Sequence, residues 1–174
     1  DAAGSWGRRA RGWASCGRLG REGLELESHR VPAGPVSVGP PESDAPAIIE
    51  EYTHVRVIPR FLAMEAPQPS VTVAAFDIAK YPVTNREYAL FLQSTGHAPP
   101  PMWGQRNFDD SAQPVVAVSW FDAVAYCDWL SLDSARRFRL PSEADWECAA
   151  RGGAAQILYP LGNDPPQSRQ HYEP

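Results

Sequence analysis

Val83-Thr84-Asn85-Arg86-Glu87-Tyr88-Ala89-Leu90-Phe91-Leu92-Gln93-Ser94-Thr95-Gly96 is the stretch on which the reading of this chain turns. Thr84 and Glu87 have the spacing of a capping box, in which the hydroxyl accepts from one unpaired backbone N–H and the carboxylate reaches back to another. Val83 before the cap and Tyr88 four positions into the helix have the spacing of a hydrophobic staple. Tyr88, Phe91, Leu92 and Thr95 recur at i, i+3, i+4 and i+7, which is one face of a helix. Gly96 supplies the left-handed residue that ends it. The stretch therefore predicts a helix from 85 to 95 that buries aromatic side chains.

Two further helix starts follow the same chemistry. Ser119 has Asp122 three residues on, and Trp120, Val124, Cys127 and Leu130 fall on one face, with charged Asp128 off the stripe. Ser142 has Asp145 three residues on, with Trp146 next, and Gly152-Gly153 stops the run. Phe91, Leu92, Trp120, Trp129 and Trp146 are the expected core residues. Strand-like runs lie at Thr53 to Ile58, ended by Pro59, and at Ser70 to Ile78, rich in β-branched and aromatic residues. Val115 to Val118 is a short buried-strand candidate and Ile157 to Pro160 another. Residues 97–114 read as loop. Strands and helices do not alternate regularly, so an α+β domain with sparse regular structure and long loops fits better than a doubly wound sheet.

Composition narrows the field further. The chain has 174 residues, 43% hydrophobic and 21% charged, in the range of one globular domain. Pro, at 18 residues, is about twice its usual share, which excludes a helical bundle. Six Arg stand against four acidic residues in 1–30, whereas the remainder sets ten basic against seventeen acidic. That acidic body offers no footprint for nucleic acid. No apolar run exceeds five residues, so neither a membrane span nor a secretory signal is expected in this sequence, and a cytoplasmic location is the default expectation. Residues 1–30, rich in Gly, Arg and Ser and without a period, read as a poorly ordered N-terminal segment. Residues 31–48, with seven Pro or Gly, read as a turn-rich connector. The start at Asp1 and the stop at Pro174 in a Pro-rich stretch lead us to expect an incomplete chain.

No reaction centre is self-evident. Cys16, Cys127 and Cys148 form no C-x-x-C and no zinc spacing. For Cys127 and Cys148, in helices beside aromatic residues, small buried hydrophobes are the leading reading, with a disulfide or a reactive thiol as the alternative. His29, His54, His97 and His171 share no helix face, so they read as surface or loop residues rather than metal ligands. Asp109-Asp110 reads as a solvated acidic turn rather than a cation loop. Gly152-Gly153 closes a helix and cradles no phosphate.

Residues 31–172 resemble the N-terminal half of a sulfatase-modifying-factor domain, the family of the formylglycine-generating enzymes. Four blocks in order carry the resemblance: His29-Arg30-Val31-Pro32-Ala33-Gly34; Phe76 to Asn85 with Tyr88 and Phe91; Pro114 to Trp120 with Asp122-Ala123 and Ala125-Tyr126-Cys127; and Arg139 to Glu147 with Ala149 to Gly153. Tyr159-Pro160 and Gly162-Asn163 close it. Most of these residues cap helices or fill a core, so they identify the fold rather than the chemistry.

The resemblance implies a C-type-lectin-like sulfatase-modifying-factor fold, here incomplete, in residues 31–174. It implies oxidation of a sulfatase cysteine to formylglycine, with a protein substrate as partner and with copper, dioxygen, a thiolate pair and calcium. The thiolates, and most of the calcium ligands, are implied to lie in the family's C-terminal half. No catalytic or metal role therefore falls on this chain, and alone it is expected to be inactive. Trp103 and Arg106 lie in the loop where relatives shape their substrate groove. Cys127 and Cys148 match positions that in some relatives form disulfides with that other half. A non-catalytic, lectin-like binding module on the same fold is the competing expectation.

Overall fold

The computed structural model describes residues 16–21, 24–51, 67–132, 136–153 and 157. Its contacts divide the chain into two compact units, one of residues 15–29 and 77–140, the other of residues 1–14, 30–76 and 141–174. Strands β1 (Cys16–Arg21), β2 (Leu24–Val31) and β5 (Phe76–Ala79) form one sheet in the order β1-β2-β5. Strands β3 (Gly34–Ser37) and β4 (Ser70–Val73) form a second. The helices are α1 (Ala45–Glu51), preceded by a 3-10 turn at Glu42–Asp44, α2 (Asn85–Thr95), α3 (Trp120–Leu132) and α4 (Glu143–Ala150). Among the described residues the architecture is α+β, with short antiparallel pairings and no closed barrel. No described helix is long and apolar enough to cross a membrane.

In the unit of residues 15–29 and 77–140, the helix boundaries follow the cap chemistry. Thr84 is extended at φ −86°, Thr84 Oγ1 accepts from the Glu87 N–H at 3.3 Å, and Glu87 Oε2 accepts from the Thr84 N–H at 2.6 Å. Gly96, at φ 69°, donates its N–H to Leu92 O. Ser119 and Asp122 make the equivalent reciprocal pair before α3, at 3.2 and 2.8 Å. Tyr88 and Phe91 of α2 bury against Tyr126, Trp129 and Leu130 of α3 and Leu24 of β2, and Leu92 and Val83 pack on that cluster. Tyr88 and Tyr126 stack at 5.7 Å, and Phe91 meets Tyr126 edge-on at the same distance. Offset and edge-on pairs of this kind add about 0.5–1.5 kcal/mol each beyond their burial. Thr95, expected on the buried face, is exposed and instead donates its hydroxyl to Phe91 O.

In the other unit, β3 and β4 pair antiparallel from Gly34↔Val73 to Ser37↔Ser70. Val31, Val36, Val73 and Cys148 are buried there. Ser142, at φ −70°, caps α4 in a full capping box with Asp145. Both Glu147 carboxylate oxygens accept from the Gly39 N–H, at 2.9 and 3.0 Å. Arg151 Nη1 donates to Glu147 Oε1 at 3.1 Å and to the carbonyls of Ser37 and Gly39. This charge-assisted knot ties the end of β3 to the end of α4. Gly152 and Gly153, at φ 72° and 65°, then turn the chain away.

Several expectations are corrected. Trp120 and Trp146 are 64% and 62% exposed and lie outside the core. The apolar residues of α3 cover both of its sides, so spacing alone did not select the inward one. Residues 16–21 and 24–30, read as lacking regular structure, form most of the β1–β2 hairpin, in register from Cys16↔His29 to Arg21↔Leu24. The short Leu24-Glu25-Leu26-Glu27 alternation is the signal, obscured by the surrounding Gly and Arg. The presumed connector 31–48 contains β3 and the start of α1. Pro35 is tolerated because β3 belongs to a two-stranded sheet, in which every strand is an edge. Val115 to Val118 forms no strand. Pairing stops at the Thr84↔Pro114 bridge and the Val115 N–H to Val83 O bond, and Ala117, at φ 57°, breaks the extended run. Ser70 to Ile78 divides into β4 and β5. The Thr53–Ile58 strand and Tyr159-Pro160 lie outside the described residues.

Candidate functional site

A helix leaves its first N–H groups unpaired, and α2 gives two of them to a loop. The Asn85 N–H donates to Gln113 O at 2.9 Å and the Arg86 N–H to Ser111 O at 3.0 Å. The buried Asn85 side chain reaches the same loop, Nδ2 donating to Phe108 O at 2.7 Å and to Asp110 O at 2.9 Å. An amide is suited to this task because one NH₂ group carries two donors. Asp110 completes an acidic turn, its Oδ1 accepting from the Ala112 N–H at 2.8 Å. That is the solvated-turn reading of Asp109-Asp110, with the Asp110 carboxylate engaged by backbone.

Upstream, the loop winds through successive turns: Trp103 N–H to Pro100 O, Gln105 N–H to Met102 O and Phe108 N–H to Gln105 O. Gly104 sits at φ 73°, and a Cβ there would meet nothing within 4 Å, so backbone conformation and not space calls for glycine. Asn85, Trp103, Gly104, Phe108 and Asp109 line a cavity of about 140 Å³. Ligand pockets run roughly 300–1,000 Å³, so this partly open cleft has room for at most one side chain or a similarly small group. Trp103 is half-buried and its ring lies 5.9 Å from that of Tyr88, which anchors the cavity wall to the aromatic core. Arg106, on the same loop, is exposed and does not line the cavity. Aromatic walls with one carboxylate and an amide can bind. The set includes no nucleophile.

A second polar cluster lies between the end of α2 and the start of α3. His97 Nε2 meets Asp122 Oδ1 at 2.8 Å, and Asp122 Oδ2 accepts from Ser119 Oγ at 2.7 Å. The hydrogen bond from His97, then those from Ser119, hold the Asp122 carboxyl down at about 2. The His97 ring also packs on Phe91 at 4.9 Å. His97 is thus half-buried and paired, a role its loop position did not announce. Burial pushes the Tyr88 hydroxyl up to about 12, with the Asp122 charge adding to it. The hydroxyls of Tyr88 and Tyr126 are buried and, among the described residues, accept or donate no hydrogen bond.

Both described thiols are unsuited to attack. Cys127 is half-buried on α3 and Cys148 buried on α4, and both are free. Burial pushes both thiols up, with Asp128 and Asp145 adding to the effect, so at neutral pH they stay protonated. Among the described residues no three His, Cys, Asp or Glu side chains come together as a metal donor set. His54, His171 and the Cys16 side chain lie outside the described residues.

The sequence matches the family described as the sulfatase-modifying factor enzyme 1-like domain over residues 22–173. It is 34% identical over 142 residues to the formylglycine-generating enzyme of Thermomonospora curvata, covering 58% of this chain and 45% of that protein. It is 31% identical over 141 residues to the mouse inactive C-alpha-formylglycine-generating enzyme 2, covering 57% of this chain and 44% of that one. The structure resembles that of PvdO from Pseudomonas aeruginosa with a TM-score of 0.59 and 28% identity, over 82% of this chain and 54% of the other. The chain thus spans about half the length of each of these proteins.

Proposed function

Because the chain belongs to the family of sulfatase-modifying factor enzyme 1-like domains, we propose that it forms part of a formylglycine-generating oxidoreductase acting on a cysteine of a protein substrate. In this reading the described residues hold the substrate peptide and do not supply the oxidising thiolates. One observation carries it: the Trp103–Phe108–Asp109 cavity is built onto the helix N-terminus through Asn85, at 2.7 and 2.9 Å, and sized for one side chain. Exposed Arg106, on the same loop, extends the peptide-holding surface. When bound, copper would supply the oxygen-activating chemistry of the family. Nothing in the described donor set routes a step through it.

The test is titration of the full chain with a sulfatase-type cysteine peptide, followed by tryptophan fluorescence. Trp103→Ala is expected to weaken binding about tenfold, the loss of an aromatic anchor worth roughly 1.4 kcal/mol. Arg106→Ala is expected to weaken it less. Binding indifferent to Trp103→Ala would overturn the reading.

A second reading, a non-catalytic binding module, is favoured by the similarity to a protein named as inactive. Aldehyde labelling of the peptide after incubation with the chain fused to the part of the Thermomonospora curvata enzyme that it does not match, with copper(I) and dioxygen, separates the two. Aldehyde supports the oxidoreductase. Binding without aldehyde supports the module.

A further inference from the structure

The loop of residues 98–118, which carries Trp103, Gly104, Phe108 and Asp109 of the cavity, leaves at the end of α2 and returns at the start of α3. Its two halves are held differently. The returning half is bonded to the first turn of α2, by the Asn85 amide and by the backbone N–H groups of Asn85 and Arg86, and Val115 donates its N–H to Val83 O. Among the described residues, the hydrogen bonds of residues 98–107 all run within the loop itself. That outgoing half rests on buried Pro100, on half-buried Trp103 and on the place where the loop begins. That place is a neck. Gly96 ends α2, His97 follows, and His97 Nε2 lies 2.8 Å from Oδ1 of Asp122 in the first turn of α3. The other carboxylate oxygen accepts from the N–H and the hydroxyl of Ser119, at 2.8 and 2.7 Å. With its carboxyl held at about 2, Asp122 is ionised at neutral pH and can only accept, so Nε2 of His97 carries the proton and donates. Just inside the neck, Ala117 takes φ 57°, the left-handed region that a residue with a Cβ enters at a cost. Strain of this kind persists where the surrounding structure holds it, and it collects at ligand clamps.

We propose that His97 is a positioning residue of the candidate site: through Asp122 it clasps the neck of the 98–118 loop, holds Ala117 in its strained turn and keeps the cavity wall assembled on α2. Two independent observations carry it. The hydrogen bond from His97 joins the helix the loop leaves to the helix it enters, so no opening of the neck leaves that bond intact. The strain at Ala117 opposes closure, so something at the neck has to hold it. The His97 ring is itself fixed, packed on Phe91 of α2 at 4.9 Å, with its N–H donating to Thr95 Oγ1 at 3.1 Å. The donor is therefore aimed from a rigid helix end at a carboxylate that is already locked into a helix cap. That is the arrangement a positioning group needs.

The test is hydrogen exchange of the full chain, read at residues 98–107 without peptide. His97→Phe keeps a ring against Phe91 and removes the donor. It is expected to retain the circular dichroism of the parent and to speed exchange in the loop about tenfold, on the scale of one hydrogen bond to a charged group. His97→Gln, whose side-chain amide restores an N–H donor, is expected to stay within about twofold of the parent. Ala117→Gly frees the left-handed turn from its strain, and added to His97→Phe it is expected to slow exchange again by about threefold. Loop exchange in His97→Phe within about twofold of the parent would overturn the clasp. So would His97→Gln exchanging as fast as His97→Phe, or Ala117→Gly leaving that variant unchanged. The consequence for the cysteine peptide rests on the function proposed above and is read separately, with His97→Phe expected to weaken binding and His97→Gln to preserve it. Binding that ignores a loosened loop would overturn the positioning role. A parent chain that binds no peptide would overturn the proposed function instead, while exchange still decides the clasp by itself.

Discussion

Replacing Asn85 by Ala tests whether the candidate cavity is held by its helix. The side chain is buried and makes two hydrogen bonds to the carbonyls of Phe108 and Asp110. Each such bond contributes about 0.5–1.5 kcal/mol net, so the pair amounts to about 2 kcal/mol. The two carbonyls belong to exposed residues, so water satisfies them once the loop lifts, and the larger cost of stranding a buried acceptor does not apply. About 2 kcal/mol corresponds to a midpoint lower by about 4–8 °C in a chain of this length. Asn85→Asp is expected to cost at least as much, because a carboxylate replaces two donors facing two carbonyl oxygens. The backbone bonds from Asn85 and Arg86 to Gln113 and Ser111 survive both changes, so the helix itself should persist. The assay is thermal and denaturant unfolding of the full chain, with hydrogen exchange read at residues 108–113 and peptide affinity read at Trp103. A stability change under about 0.3 kcal/mol, or unaltered exchange in that loop, would refute the reasoning, since truncations that lose no partner stay within ±0.5 kcal/mol.

Three other outcomes are expected. Ser142→Ala should cost about 1 kcal/mol by removing the α4 cap while Ser142→Thr is nearly silent, both read from unfolding midpoints. Cys127 and Cys148, with thiols pushed up by burial, should react slowly with a neutral-pH thiol reagent in the folded protein, and rapid labelling of either would contradict their burial. Asp122, whose carboxyl is held down at about 2 from an ordinary 3.8, contributes stability that is present above pH about 4 and lost as pH falls toward 2. Acid unfolding of Asp122→Asn should therefore show a shallower slope in that window than the parent.

What could be read in advance was local. The capping boxes at Thr84, Ser119 and Ser142 are satisfied within four residues, so three helix starts follow from spacing alone. Trp103 is expected at a substrate groove from the resemblance alone, and nothing in the sequence points to Asn85, because a polar residue in a first helical turn looks ordinary until the loop it holds is in view. His97 was missed for the same reason, its partner Asp122 lying 25 residues away. The β1–β2 hairpin was hidden by composition: strand pairing is satisfied by backbone groups, which Gly and Arg carry as well as any residue. Trp120 and Trp146 show the opposite limit. Hydrophobicity says that a side chain gains by leaving water, about 1.5–3 kcal/mol for a large one, but not which surface it leaves water against. On α3 the sequence offers two apolar sides of similar strength, and the aromatic core takes the one bearing Tyr126, Trp129 and Leu130. The side left over cannot be explained by the packing that made the helix. On that side Trp120, Phe121 and Leu132 stay exposed, so their apolar character is not read out by the core that Trp120 is expected to join.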